Sequence, residues 1–239
     1  MNTQYNSQEW AAETTRGRHL FNYNFRLLGR EFKVWQLRKA EPMQEDAGGT
    51  EYVYLWQGQR DHEREMVRVT VKEQTSWRLA QKRLREQLNN CMRPDIPRGT
   101  GEYASLGDIS FVSRDPQTGV PGAIFFTRGN VFLSVDSVGE GNIDVSEFAI
   151  TLDRALSEPP ARSARQKRPA GKHTAKMLKL KMGESRVVTK LQKPAPDGPW
   201  LKVIAPDGEL SRRGDALSFT SLQAGEKAID IYVTNPGDR

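Results

Sequence analysis

The stretch Gly122 to Val138, GAIFFTRGNVFLSVDSV, constrains the fold of this chain more than any other. Two apolar runs, Ala123 to Thr127 and Val131 to Val135, flank Arg128-Gly129-Asn130. Gly129-Asn130 suits a two-residue turn whose first position needs a positive φ, so the stretch reads as a β-hairpin. In its second strand Val131, Leu133 and Val135 share one face and Phe132, Ser134 and Asp136 the other, the period-2 pattern of a half-buried strand. The next residues, NIDVSEFAITLDRAL, read as a helix. Asp144 is placed as its N-cap with Glu147 three residues on, and Val145, Phe148, Ala149, Leu152, Ala155 and Leu156 fall along one face. Such a stripe has to be buried, and the hairpin offers the nearest apolar surface.

The first half repeats this order of strands followed by a helix. Phe21, Tyr23 and Phe25 alternate with Asn22, Asn24 and Arg26, and a second strand runs from Phe32 to Leu37. Pro42 to Thr50 reads as a loop, Glu51 to Gln57 as an aromatic-rich strand, and Met66 to Lys72 as a strand with one wet face. Ser76 to Cys91 reads as an amphipathic helix, because Trp77, Ala80, Leu84, Leu88 and Cys91 form a stripe while Arg78, Lys82, Arg83 and Arg85 lie elsewhere. Pro94, Pro97 and Gly99 stop it, and Asp108 to Ser113 returns as a strand. The expected fold is therefore α+β, an antiparallel sheet carrying two packed amphipathic helices on one side.

After Leu156 the character of the chain changes. Ser157-Glu158-Pro159-Pro160 ends the helix, and a Lys/Arg/Pro/Ala/Gly segment follows to about Lys176. Beyond it come short strands, Met177 to Met182, Arg186 to Gln192, Trp200 to Ile204, Ala216 to Ser221 and Ala228 to Asn235, separated by closely spaced turn residues. This pattern favours a small all-β C-terminal domain. Its last part, GDALSFTSLQAGEKAIDIYVTN (Gly214 to Asn235), resembles the last two strands of a bacterial immunoglobulin-like module. The resemblance implies a small sandwich, without the cysteine pair of immunoglobulin domains. The expected division is a flexible arm (residues 1–19), an α+β domain (20–156), a basic, Pro-containing linker (157–176) and a small β domain (177–239).

Charge follows the same division. The formal net charge is +6, but Ser157 to Met182 alone holds eight Lys or Arg against one acid, Glu158, so the rest of the chain is close to neutral. A polyanion-binding reading, nucleic acid included, would rest on Arg162, Arg165, Lys167, Arg168, Lys172 and Lys176. Interleaved aromatics that would stack on single-stranded bases are missing from that segment.

Enzymatic motifs are missing as well. Neither a P-loop nor a strand-to-helix GxGxxG occurs, and there is no HExxH, GxSxG or EF-hand loop. Asp61-His62-Glu63 is too local to build a metal site without a distant partner. Cys91, the single cysteine, reads as a packed thiol on the first helix. Acids such as Glu51, Asp108 and Asp136 could form an acid–base pair only through the fold. No catalytic, cofactor-binding or metal-ligating residue is assigned and no cofactor is expected. Arg128, beside the hairpin turn, is the candidate contact for a carboxylate ligand, with pairing to Asp108 or Asp136 as its competing role.

No apolar run is long enough to cross a membrane as a helix. The polar start of the chain fits the removal of a leader, and an extracytoplasmic setting, as well as it fits a chain that never had one. Compartment and oligomeric state stay open. The sequence thus points to a noncatalytic binding or assembly module for a protein partner, through a sheet edge, ahead of polyanion binding and of an enzyme with an unrecognised site.

Overall fold

The computed structural model describes Trp10 and residues 18–46, 49–59, 63–91, 96–158, 172–195 and 198–235. The strands among them are β1 (Arg18–Tyr23), β2 (Trp35–Asp46), β3 (Gly49–Gly58), β4 (Met66–Gln74), β5 (Ile109–Arg114), β6 (Pro121–Arg128), β7 (Val131–Ser137), β8 (Lys172–Leu180), β9 (Ser185–Lys190), β10 (Trp200–Pro206), β11 (Gly208–Arg213), β12 (Ala216–Ser221) and β13 (Gly225–Thr234). The helices are α1 (Trp77–Asn90) and α2 (Ser146–Ser157), with a 3-10 turn at Gly101–Ser105. No described helix is long and apolar enough to cross a membrane.

The α+β expectation is overturned. The protein is mostly β, 52% strand against 17% helix among the described residues, and it is built on three antiparallel sheets. The sheets have the orders β2-β3-β4-β7-β6-β5, β1-β10-β13-β8 and β11-β12-β9. The extra strand content comes from segments without an apolar alternation. β2 runs on through Pro42 to Asp46, which the sequence reads as loop, because backbone pairing with β3 continues there. β11, for which no strand is expected, pairs with β12 from Gly208↔Ser221 to Arg213↔Ala216. β8 begins at Lys172, inside the stretch read as linker, and pairs with β13 along its whole length.

The helices also depart from the expected layer on one side of the sheet. α2 packs Phe148, Ala149, Leu152 and Leu156 into a core with Trp56, Val67, Val69, Val71, Phe126, Leu133 and Val135. α1 places Leu84 and Leu88 with Ile109, Phe111, Phe125 and Phe132, and Trp10 joins that cluster. Phe125 and Phe126 are neighbours in one strand and so point to opposite faces. The hairpin is thus apolar on both sides, and a helix covers each. Cys91, half-buried at the end of α1, lies against the second cluster, and burial pushes its thiol up.

Both helices form where their sequence patterns place them. α1 is capped by Ser76, whose hydroxyl accepts from Leu79 N at 3.4 Å. The N-cap of α2 is Val145 and not Asp144 as expected; Asp144, one residue earlier, accepts from Ser146 N at 2.8 Å. The turn Gly129-Asn130 closes β6 on β7, with Gly129 at φ +57°.

The two smaller sheets share a third core, in which Leu180, Val188, Val203, Leu210, Leu217, Phe219, Ile229 and Ile231 meet Phe21 and Tyr23. The last two residues belong to β1. This strand stands more than 170 residues before β10 in the chain yet pairs with it in register from Arg18↔Pro206 to Tyr23↔Leu201. The chain therefore starts its described fold in the C-terminal sandwich, builds the six-stranded sheet, and returns. Phe25 and Trp200, with ring centroids 4.9 Å apart, continue the contact into the core of the large sheet.

Candidate functional site

Arg128, the candidate ligand contact, is bonded to neighbouring acids. Its Nε and Nη2 donate to the two carboxylate oxygens of Asp153 at 2.6 and 2.7 Å, its Nη1 to Asp108 Oδ1 at 3.3 Å, and its Nη2 also to Ser105 O. Asp108 then accepts from Gly129 N at 2.6 Å. Arg128 thereby ties α2, the turn before β5 and the hairpin together, the structural alternative foreseen for it. Its second acid is Asp153 rather than Asp136, which pairs instead with Arg68 at 3.5 Å and Ser134 Oγ at 2.7 Å. Glu51 likewise lies against Lys72 at 3.1 Å and Arg83 at 3.8 Å.

Next to Arg128 the turn does something its sequence does not announce. Asn130, 1% exposed, accepts from Asn22 N at 2.7 Å through Oδ1 and donates through Nδ2 to Asn22 O at 2.9 Å and Gln74 O at 2.8 Å. Its own carbonyl accepts from Gln74 N at 2.8 Å. The carboxamide thus presents to β1 the donor and acceptor that a neighbouring strand would supply, closing the outer edge of that strand at Asn22. Gly129 permits the approach, because a Cβ there would stand 2.2 Å from Leu20 O.

Two buried charges hold the same junction. Glu73, at the end of β4, accepts from Asn24 N at 2.9 Å and from Phe25 N, and lies 3.5 Å from Arg26 Nη1. Burial outweighs these partners and pushes its carboxyl up to about 7. Lys202 on β10 donates to Ala155 O at 2.7 Å and to Glu158 O, satisfying carbonyls at the end of α2, and its Nζ lies 4.6 Å from the centre of the Trp200 ring. Burial pulls its ammonium down to about 7. These groups join the C-terminal sandwich to the large sheet.

Three open sheets leave six edges, and exposed edges are where one chain recruits another strand. β1 is closed at Asn22 by Asn130, with the hairpin turn at Gly129 close against Leu20 O. β5 is covered by the segment before it, with Gly99 N bonded to Ser110 O and Val112 N to Pro97 O. β11 meets the start of α1, where Arg212 N donates to Thr75 O and Ser76 bridges Ser211. β2 is broken by register shifts at Leu37/Lys39 and Met43/Asp46 and contains Pro42, which has no N–H to pair. β9 is six residues long, its register with β12 slips at Val188, and Lys176 Nζ occupies Val188 O.

The sixth edge, β8, differs from all of these. It is nine residues long and pairs with β13 without a register shift. Every residue from Lys172 to Met177 is exposed, Met177 at 63%. Among the described residues no strand, turn or side chain closes its outer side. Antiparallel geometry points alternate N–H and C=O groups of such a strand away from its one neighbour.

Of the residues singled out for polyanion contact, Lys172 and Lys176 lie on this edge. Arg162, Arg165, Lys167 and Arg168 fall outside the described residues, as do Asp61, His62, most of the arm and most of the linker. Among the described residues no group of three or more His, Cys, Asp or Glu is placed to hold a metal ion. The edge was missed in the sequence because β8 carries Lys, His, Thr and Ala where an apolar alternation would mark a strand. Comparison with family models, with curated proteins and with solved structures finds no match for this chain.

Proposed function

We propose that the protein is a noncatalytic binding module that takes a strand of a protein partner onto the outer edge of β8. One observation carries this reading: of the six sheet edges, five are closed, covered or broken, and β8 alone is long, regular and open among the described residues. Main-chain groups supply the affinity in such a contact, and the side chains that alternate along the edge supply the selectivity. The catalytic alternative loses ground because Arg128, Glu51, Asp108 and Asp136 each spend their charge on a neighbouring side chain.

Selection of nonapeptides from a random display library against the full-length protein, followed by hydrogen exchange of the complexes, tests the reading. Enriched peptides are expected to slow exchange at residues 172–180 and nowhere on β2 or β5. Ligands that protect another surface, or a selection that enriches nothing, would contradict it.

A further inference from the structure

We infer that the segment received by β8 is acidic and extended, with carboxylates alternating with apolar residues. The inference rests on the strand-accepting reading and adds the chemistry of the partner. Between Lys172 and Lys193 stand seven cations and a single acid, Glu184. That acid is already committed, to Arg186 Nε at 2.9 Å and Lys181 N at 3.0 Å. Lys172, Lys176 and Lys179 on β8, and Lys181, Arg186 and Lys190 beside it, are all exposed.

The strand alternation turns this charge into a pattern. Lys172, Thr174 and Lys176 share one face of β8 with Leu178 and Leu180, which pack into the sandwich core farther along, while His173, Ala175, Met177 and Lys179 share the other. A paired strand with an acid at every second position sets carboxylates beside Lys172 and beside Lys176, whose Nζ also donates to Val188 O, and apolar groups against Ala175 and Met177. Cross-strand opposite charges of this kind are favourable and like charges are not.

The same argument removes other occupants. A second copy of β8 centred on Lys176 would place that lysine against itself and surround it with the remaining cations. The sequence preceding β8 is no better suited, because it adds Arg162, Arg165, Lys167 and Arg168. Nucleic acid fits the charge but not the edge. His173, the aromatic side chain of β8, is stacked on Tyr232 at 4.6 Å and bonded to Asp230 at 2.9 Å, and a row of alternating N–H and C=O groups matches a peptide rather than a phosphate backbone. Lysines along an open edge both discourage self-association and select an acidic strand.

The test titrates full-length protein with four labelled, end-blocked nonapeptides: alternating Glu/Val, alternating Thr/Val, alternating Lys/Val, and Glu/Val N-methylated at every second residue. Glu/Val should bind about tenfold tighter than Thr/Val, weaken with salt, and slow exchange at residues 172–180. Lys/Val and the N-methylated peptide should not bind. The variant Lys172→Glu leaves Lys176 on Val188 O and should lower the preference for Glu/Val over Lys/Val; an unchanged preference would overturn the acidic reading. Equal binding of Glu/Val and Lys/Val with protection of β8 would overturn the acidic preference and leave strand addition standing. Binding that survives N-methylation, or that a heparin oligosaccharide displaces without protecting β8, would overturn strand addition in favour of a polyanion surface. Failure of every peptide to bind would overturn both.

Discussion

Asn130 is the residue on which the junction between the two parts of the fold turns. Its carboxamide serves Asn22 N, Asn22 O and Gln74 O, all within 2.9 Å and away from solvent. Leaving a buried polar group unsatisfied costs roughly 1–3 kcal/mol. Asn130→Ala should therefore lower stability by about 3 kcal/mol or more, read from urea unfolding. Asn130→Asp keeps the shape but points carboxylate oxygens at two carbonyls, so its loss should approach that of alanine; near wild-type stability in the aspartate variant would sink this role. Gly129→Ala should be as damaging for a steric reason, the contact with Leu20 O. That Gly129-Asn130 is a turn was legible in the sequence. That Asn130 also serves as a strand for β1 was not, because its partners lie 108 and 56 residues away in the chain.

At the scale of elements, the hairpin, α1 and α2 were readable because their apolar periods are regular and the turn at Gly129-Asn130 agrees with them, although the cap of α2 falls on Val145 and not on Asp144. β11, with Leu210 its one large apolar side chain, and the exposed first half of β8 were not, since a strand held by backbone pairing needs no apolar alternation. The two faces of the hairpin show another limit. The sequence marks Phe125, Phe126 and Phe132 as apolar without saying that a helix waits on each side. The elements are joined by buried charges, which makes the joint sensitive to pH. Glu73 ionises at about 4.5 in the unfolded chain and at about 7 in the fold, so the folded state holds an extra proton between these values. Stability should fall as pH rises through that window, by about 3 kcal/mol. Lys202 acts the other way. The unfolded chain keeps its proton up to about 10.5 and the fold only to about 7, so stability should rise with pH between them. Thermal or urea unfolding across pH should show Glu73→Gln losing the fall and Lys202→Met losing the rise. Wild-type slopes retained in both variants would mean that other groups set the pH response.

For the molecule as a whole, the return of the chain from β1 to β10 decides which edges remain available. β1 completes one side of the C-terminal sandwich, and the hairpin turn closes it there. The opposite side ends at β8, with its backbone groups and lysines outward. The resemblance of Gly214 to Asn235 to the end of an immunoglobulin-like module covers β12 and β13, whereas the strand that fills the far side of their sheet comes from near the start of the chain. No local reading of the C-terminal sequence could have supplied it. The proposed strand acceptance rests on this asymmetry, one side met by the hairpin turn and the other open among the described residues. Hydrogen exchange of the unliganded, full-length protein tests it most directly, because amides paired in a sheet exchange slowly and outward amides of an open edge do not. The expected result is slow exchange throughout β10 and at Asn22 in β1, with fast exchange at alternate residues between Lys172 and Lys179. Uniformly slow exchange along β8 would mean that its edge is already covered, and would contradict the account.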